Sequence, residues 1–234
     1  MKRLFGGSPM LIFFLVLMAY NAISSGRFSN PGQWLMHTLL LLPGIVIGLT
    51  FHEFAHAYSA WRLGDQTPMA QNRVNLNPLS HIDIIGIVAL LFVGFGWGRP
   101  VQVNPYAFRK NRRLSNLLVD VAGVTTNFII AFICTGLLLI IPISSLYVVV
   151  VNIVYINIVL MVFNLLPIPP LDGFGILTEI FDLRRYSWHR TFYNYGFFIL
   201  ILLVFLGDNG IGKVLGPPLN AIAGFISHIW GVPL

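Results

Sequence analysis

Charged side chains are scarce in this sequence. Asp, Glu, Lys and Arg make up only 9% of its 234 residues, whereas 56% are hydrophobic. Because soluble domains carry about 25% charged residues, this composition excludes an ordinary soluble protein and indicates one that is integral to a lipid bilayer. Long charge runs, internal repeats and Ser-, Pro- or Gln-rich linkers are also missing, so we expect one domain over residues 1–234.

Cysteine is nearly absent as well. The single cysteine, Cys134, lies in the apolar stretch AFICTGLLL, and one cysteine excludes a disulfide within one chain. We interpret Cys134 as a small apolar packing residue, and a redox or metal role is the weaker alternative.

Six apolar stretches predict membrane-crossing helices, since a helix needs roughly 20 apolar residues to cross a bilayer and fewer where the bilayer thins. The first stretch could instead be a signal peptide, but its small-residue site is weak and everything downstream is also membranous, so an anchor is favoured. The fold class that we predict is an all-α membrane protein with about six transmembrane helices. The six apolar stretches that predict these helices are residues 10–23, 34–61, 117–141, 146–166, 195–206 and 219–230.

Two further segments add to this prediction. The apolar run at 84–97 is rich in glycine and too short to span comfortably, so we expect a re-entrant or interfacial hairpin there in place of a seventh crossing. The alternating residues 99–104, RPVQVN, predict a short β-strand near the cytoplasmic side that could pair with an extended substrate. A plain surface loop is the alternative for that segment.

The basic residues predict how the helices are oriented. If the amino terminus is cytoplasmic and the chain crosses six times, twelve of the 14 Lys and Arg residues lie inside, and only Arg27 and Lys213 lie outside. We therefore expect a multi-pass protein of a prokaryotic plasma membrane. The net charge of +6 indicates affinity for anionic lipid headgroups. The sequence lacks a basic stripe interleaved with aromatic residues, so we expect no nucleic-acid partner.

Residues 52–56 read HEFAH inside the second predicted span. His52 and His56 are about one helical turn apart, so both imidazoles can reach one ion while Glu53 flanks it. Ionisable groups at membrane depth cost several kcal/mol each unless they are paired or coordinated. The pattern predicts a zinc site, and a polar cluster that only joins neighbouring helices is the alternative.

A third ligand must come from elsewhere, because a catalytic zinc site usually has three protein ligands and one open position. His37, His189 and His228 are poor candidates from their places in the sequence. Asp172 is better, since the surrounding PIPPLDG forces irregular backbone, which membrane proteins tolerate only where it is buried in protein or lines a wet cavity. An Asp-Gly pair is also typical of a simple turn, so from these residues alone both roles for Asp172 stay open.

The two segments together resemble a known family. HEFAH at 52–56 and NLLPIPPLDG at 164–173 are similar to the site-2 protease family of intramembrane zinc metalloproteases. The resemblance implies that His52, His56 and Asp172 bind one Zn²⁺ per chain and that Glu53 activates water. NLNPLSHIDIIG, GWGRPVQVNP and AGVTTNF also resemble the short prokaryotic branch, which lacks PDZ and CBS domains.

Two segments depart from the family's pattern. Members often have A-G-P-x-x-N where this chain has AGVTTN at 122–127, and H-I-D-P where it has HIDI at 81–84. Neither change touches a proposed ligand. His81 and Asp83 could form a pair that orients the ligands, and a loop-capping role is the alternative.

Asn127 and Asn164 are candidate substrate-binding residues. Asn127 lies in the third predicted span, where its amide could donate a hydrogen bond to a developing oxyanion or to the substrate backbone. The resemblance supports that role, and a structural contact between helices is the alternative. Asn164 could orient a ligand or cap the broken helix that it ends.

These observations predict a zinc metalloendopeptidase, similar to site-2 proteases, that hydrolyses peptide bonds in or near transmembrane segments. The expected partners are the lipid bilayer and a membrane-protein substrate, either a single-span protein or a signal-peptide-like segment. Both the N-terminus and the active-site openings are expected on the cytoplasmic side. A non-catalytic zinc-binding membrane scaffold is the alternative, and a metal transporter is weaker because the sequence has no inverted repeat. Nothing in the sequence indicates an oligomeric state.

Overall fold

The computed structural model describes residues 29–93, 96–142, 145–205 and 211–234. Within these ranges the chain forms nine α-helices and two short 3₁₀ turns, Pro105–Ala107 and Leu183–Arg185. The helices are α1 Pro31–Arg62, α2 Thr67–Ala70, α3 Pro78–His81, α4 Ile84–Val93, α5 Arg112–Leu137, α6 Ser145–Asn164, α7 Asp172–Phe181, α8 Ser187–Phe205 and α9 Ile211–Trp230.

Three of the described helices, α1, α5 and α6, are long and apolar enough to cross a membrane. They coincide with the predicted spans at 34–61, 117–141 and 146–166. The predicted spans at 195–206 and 219–230 fall on α8 and α9, which are not among the three, and residues 10–23 lie outside the described ranges. The helical membrane class is thus confirmed, and about six crossings stay a prediction.

The predicted β-strand at 99–104 is wrong. Across the described ranges the chain has no strand, and the pairing found there is an isolated antiparallel bridge between Ile82 and Gly98. The reason lies in the hydrogen bonds of the segment, because the N–H groups of Val101 and Asn104 donate to carboxylate side chains. Those amides are therefore not available to a neighbouring strand.

The predicted hairpin at 84–97 begins with α4. The Asp83 carboxylate accepts a hydrogen bond from the Gly86 N–H at 3.0 Å, so Asp83 caps the start of this helix. The chain then returns against α4, since a Cβ atom added at Gly86 would overlap the main chain of Trp97. The two arms therefore touch, while re-entry into the membrane stays a prediction.

Glycines allow α1 to pack closely against α6. Gly44, Gly48, His52 and His56 recur every four residues and so lie along one stripe of α1. A Cβ atom at Gly44 would lie 3.0 Å from a main-chain oxygen of α6, and one at Gly48 would lie 2.5 Å from a leucine side chain of the same helix. The stripe that carries the histidines therefore faces protein, not lipid.

The centre of the molecule is the bundle of α1, α5 and α6, which make the most extensive contacts with one another. An apolar cluster joins α5 and α6 to α9. In lipid such a cluster is held by close packing and dispersion, because the tails are as apolar as the side chains. Its buried members are Ala131, Val154, Ile158, Val162, Leu166, Leu215 and Ile226.

Candidate metal centre

The two histidines of α1 are buried and held by hydrogen bonds from one side. The Nδ1 atom of His56 lies 2.7 Å from the Val119 carbonyl oxygen, which only accepts, so Nδ1 carries the proton. The Nδ1 atom of His52 lies 2.7 Å from Oδ1 of Asn127, whose Nδ2 donates to the Gly48 carbonyl. Both Nε2 atoms therefore present lone pairs to the same space.

Asp172 approaches the two histidines from the start of α7. The turn between α6 and α7 is so tight that a Cβ atom on Gly173 would overlap the carbonyl group of Leu165. Asp172 is the first residue of α7, and its Oδ2 atom lies 3.3 Å from Nε2 of His52 and 3.3 Å from Nε2 of His56. The Pro-rich turn thus delivers a carboxylate from a separate helix to the imidazoles.

The three candidate ligand atoms form a nearly equilateral triangle. The two Nε2 atoms are 3.0 Å apart, and each lies 3.3 Å from Oδ2 of Asp172. Ligand atoms bound tetrahedrally to zinc at roughly 2.0–2.1 Å are about 3.3 Å from one another. The triangle therefore has the size of one face of a zinc tetrahedron.

Two further observations show that a cation fits this centre. The buried Oδ2 atom of Asp172 accepts no hydrogen bond from the described residues, and the lone pairs of His52 and His56 face each other without a bridging hydrogen. A cation between the three atoms would satisfy all of them. Gly123 of α5 leaves the necessary room, since a Cβ atom there would lie 2.5 Å from Nε2 of His56.

The charge state of Asp172 suits metal binding. Burial disfavours the ionised carboxyl, but the two imidazoles beside it favour that form more strongly, and the pKa of Asp172 lies well below its ordinary value. Asp172 is therefore a carboxylate at neutral pH, which is the form that ligates a metal ion.

Glu53 lies beside this triangle and is not one of its corners. Its Oε2 atom accepts a hydrogen bond from the Val101 N–H at 3.0 Å. Its Oε1 atom lies 3.5 Å from where a Cβ atom on Gly98 would be, so the carboxylate lies against the main chain of residues 98–101. From this position the Glu53 carboxylate would flank a metal ion held by His52, His56 and Asp172.

Both predicted substrate-binding asparagines donate hydrogen bonds within the protein. Asn127 is fully buried, and its Nδ2 atom donates to Gly48 and, at 2.9 Å, to Asn157. The Nδ2 atom of Asn164 donates to the Leu160 carbonyl of its own helix at 2.9 Å. The geometry favours ring orientation for Asn127 and helix-end bonding for Asn164, and substrate contact by either residue stays a prediction.

Sequence reasoning missed Asp120, which lies on α5 near Asp172. A Cβ atom on Gly175 of α7 would overlap the Asp120 carboxylate, so that glycine lets the two helices approach. Asp120 and Asp172 both line a cavity of about 250 Å³. An ionisable side chain inside a predicted span is a signal of function, and it could have drawn attention to Asp120.

An ion pair also lines this cavity. Glu179 is 2% exposed, and both of its carboxylate oxygens accept from the Arg184 guanidinium. The hydrogen bond to Glu179 raises the pKa of Arg184 above its ordinary value. The pair fixes the end of α7, the helix that carries Asp172 at its start.

Comparison with known proteins assigns the chain to a family. It is 38% identical over 203 residues to "Putative zinc metalloprotease YwhC" of Bacillus subtilis, in an alignment that covers 81% of this chain and 91% of the relative. The chain belongs to peptidase family M50. The model of that family matches residues 142–207, which contain α6, the Pro-rich turn and Asp172. The predicted membership of the site-2 protease family is thus confirmed.

A second relative agrees with this assignment to family M50. It is "Putative zinc metalloprotease Rip2" of Mycobacterium tuberculosis, which is 31% identical over 182 residues that cover 73% of this chain and 69% of the relative. No solved structure matches the chain. Both alignments are long enough to include far more than the metal-centre motifs.

Proposed function

We propose that this protein is an intramembrane zinc metalloprotease, which hydrolyses peptide bonds in or near the transmembrane segments of other membrane proteins. The observation that carries the proposal is the meeting of two imidazole nitrogens and one carboxylate oxygen within 4.8 Å of one another, beside Glu53. The helix that carries both histidines, α1, is long and apolar enough to cross a membrane. Membership of a peptidase family supports the reaction class.

His52, His56 and Asp172 would hold one zinc ion per chain. Two nitrogen donors and one carboxylate oxygen are a ligand set typical of catalytic zinc, whose fourth position stays open, and the relatives named as zinc metalloproteases support this choice of metal. When bound, zinc acts as a Lewis acid that polarises a carbonyl and acidifies water. Asn127 and the Val119 carbonyl keep both rings in the orientation that ligation needs.

Glu53 is the general base in this proposal. Its carboxylate takes a proton from the attacking water and later passes that proton to the leaving amine of the peptide. The Val101 N–H binds Oε2, which leaves Oε1 as the oxygen that accepts the proton.

The proposed substrate is a membrane-protein segment, either from a single-span protein or like a signal peptide. A helix hides its carbonyls in its own hydrogen bonds, so the substrate must unwind locally before a carbonyl can react. Residues 99–104 run beside Glu53 without helical structure and offer a surface along which an unwound segment can lie. The asymmetry of basic residues supports an active site that opens toward the prokaryotic cytoplasm.

The test compares purified wild type with Glu53→Gln on candidate single-span substrates in proteoliposomes, with zinc measured in both. We expect one zinc per chain in each protein and a cleavage rate at least about 100-fold lower for Glu53→Gln, because general-base catalysis contributes that much or more. Asp83→Asn is the control, since its side-chain oxygen can still cap α4, and it should cut like wild type.

A non-catalytic zinc-binding scaffold makes a different prediction for the same experiment. It has no use for a base beside the ligands, so wild type and Glu53→Gln would hold zinc equally and neither would cut any substrate. If Glu53→Gln holds zinc and cuts as fast as wild type, the protease survives but the assigned mechanism is wrong.

A further inference from the structure

Arg73, which lies in the loop after α2, is a buried cation. It is 3% exposed, and its two terminal nitrogens donate to the main-chain carbonyls of Ser80 and Arg99. No carboxylate lies within ion-pair distance of it in the described ranges. Burial lowers the pKa of Arg73, and the Glu53 carboxylate opposes that shift from beyond ion-pair distance. The two hydrogen bonds to main-chain carbonyls are therefore its direct contacts among the described residues.

Arg73 holds the main chain of Arg99 from one side, and α3 holds it from the other. The Arg99 N–H donates to the His81 carbonyl at 2.7 Å, while the Arg99 carbonyl accepts from Arg73. His81 is itself fixed, since its Nε2 atom lies 2.7 Å from the Asn75 carbonyl oxygen. The peptide groups on both sides of Arg99 are therefore set by buried polar contacts.

The fixed position of the Arg99 main chain affects Glu53 through Pro100 and Val101. Pro100 follows, and its ring fixes φ near −65°, so the placement of the Arg99 carbonyl largely determines where the next peptide group lies. That group is the Val101 N–H, which donates to Oε2 of Glu53 at 3.0 Å.

The other end of this segment is anchored independently. The Asn104 N–H donates to the fully buried Asp65 at 2.7 Å, and Gln71 donates to the Gln102 side chain at 2.8 Å. Loss of Arg73 would therefore loosen the end nearest Glu53, where the His81 carbonyl would still hold the Arg99 N–H, while the far end stays in place. That makes a local effect on Glu53 separable from collapse of the whole loop.

We propose that Arg73 is a positioning residue for Glu53: it fixes the Arg99 carbonyl and thereby the Val101 N–H that orients the Glu53 carboxylate. A guanidinium suits this task because its planar fork can donate to two carbonyls at once, whereas a lysine amine is a single compact centre. The inference rests on the proposed role of Glu53 as the base.

The test uses full-length Arg73→Gln and Arg73→Lys in detergent or proteoliposomes, with Arg190→Gln, an exposed arginine on α8, as the matched control. Three measurements are made: zinc per chain, kcat and KM determined separately, and hydrogen exchange of the Val101 amide. The exchange rate reports on the contact without any dependence on activity.

For Arg73→Gln we expect one zinc per chain, an unchanged KM, a kcat about 10- to 100-fold lower, and faster exchange at Val101 than in wild type. Arg73→Lys should recover part of kcat. If Arg73→Gln does not accumulate as folded protein, Arg73→Lys decides the question by the same measurements.

A wild-type kcat and a wild-type exchange rate at Val101 in Arg73→Gln would overturn the inference while leaving the protease assignment intact. So would parallel loss of zinc and activity, because that indicates a general structural role. Failure of wild type itself to cut any substrate, with zinc bound, would instead refute the proposed function, and this inference with it.

Discussion

The Oδ1 atom of Asn127 lies 2.7 Å from the Nδ1 atom of His52. The same carboxamide donates to the Gly48 carbonyl of α1 and to Asn157 of α6. One buried amide on α5 thus connects all three helices of the central bundle at the level of the metal centre. Its oxygen also ensures that the His52 Nε2 atom stays unprotonated and points toward His56 and Asp172.

Replacing Asn127 should weaken metal binding. In Asn127→Leu the side chain keeps its approximate volume but cannot accept a hydrogen bond from the His52 N–H, so the imidazole loses its fixed orientation. Loss of such a partner typically lowers metal affinity about 10- to 100-fold, and competition with a zinc chelator would measure the change. Asn164→Leu should bind zinc like wild type, because the hydrogen bond that Asn164 makes among the described residues goes to its own helix. Equal affinity in all three proteins would contradict the orienting role.

Gly123 should tolerate no side chain. A Cβ atom there would lie 2.5 Å from Nε2 of His56 and 2.6 Å from Cε1 of His52, where the ligands have no freedom to move aside. We expect Gly123→Ala to lose most of its zinc, as measured by elemental analysis of the purified protein. Gly224→Ala on α9 is the control, since nothing lies within 4 Å of its added Cβ. A Gly123→Ala protein with full zinc content would show that the centre is roomier than described.

His81 should make stability depend on pH below its ordinary pKa. Burial lowers the pKa of His81 from 6.5, and Arg73 adds to that effect, while the Asn75 carbonyl and Glu53 oppose it. The unfolded chain therefore binds a proton below pH 6.5 that the folded protein resists. Stability is fully present above that pH and falls below it, by up to about tenfold in the unfolding constant per pH unit.

Unfolding of His81→Gln in mixed micelles at pH 7.5 and 5.5 would measure this dependence, because glutamine carries no titratable proton. The difference between the two pH values should be smaller in His81→Gln than in wild type. His228→Gln, which replaces an exposed histidine on α9, should keep the wild-type difference. An unchanged difference in His81→Gln would assign the pH dependence to other groups.

The sequence was sufficient to locate the long helices and the histidine stripe. Apolar length alone places α1, α5 and α6, because crossing a bilayer imposes that length. Helical periodicity alone puts His52 and His56 on one face. Both signals are local, so they needed no knowledge of the fold.

The remaining features depend on contacts between distant residues. The alternation at 99–104 predicts a strand, but the carboxylates of Glu53 and Asp65 take its amides, which no local pattern reveals. From the sequence, Arg73 is an ordinary basic residue of a loop, and only the structure shows that it is buried. In the same way, the partners of Asn127 come from two other helices, so its amide is committed to the bundle in a way that its place in one span does not indicate.

X-ray absorption at the zinc edge of the purified protein would test the metal centre most directly. We predict one zinc per chain whose protein ligands are two imidazole nitrogens and one carboxylate oxygen at roughly 2.0–2.2 Å, with a changed spectrum and weaker retention in Asp172→Ala. A sulfur ligand from Cys134, or a wild-type spectrum that Asp172→Ala leaves unaltered, would contradict the account.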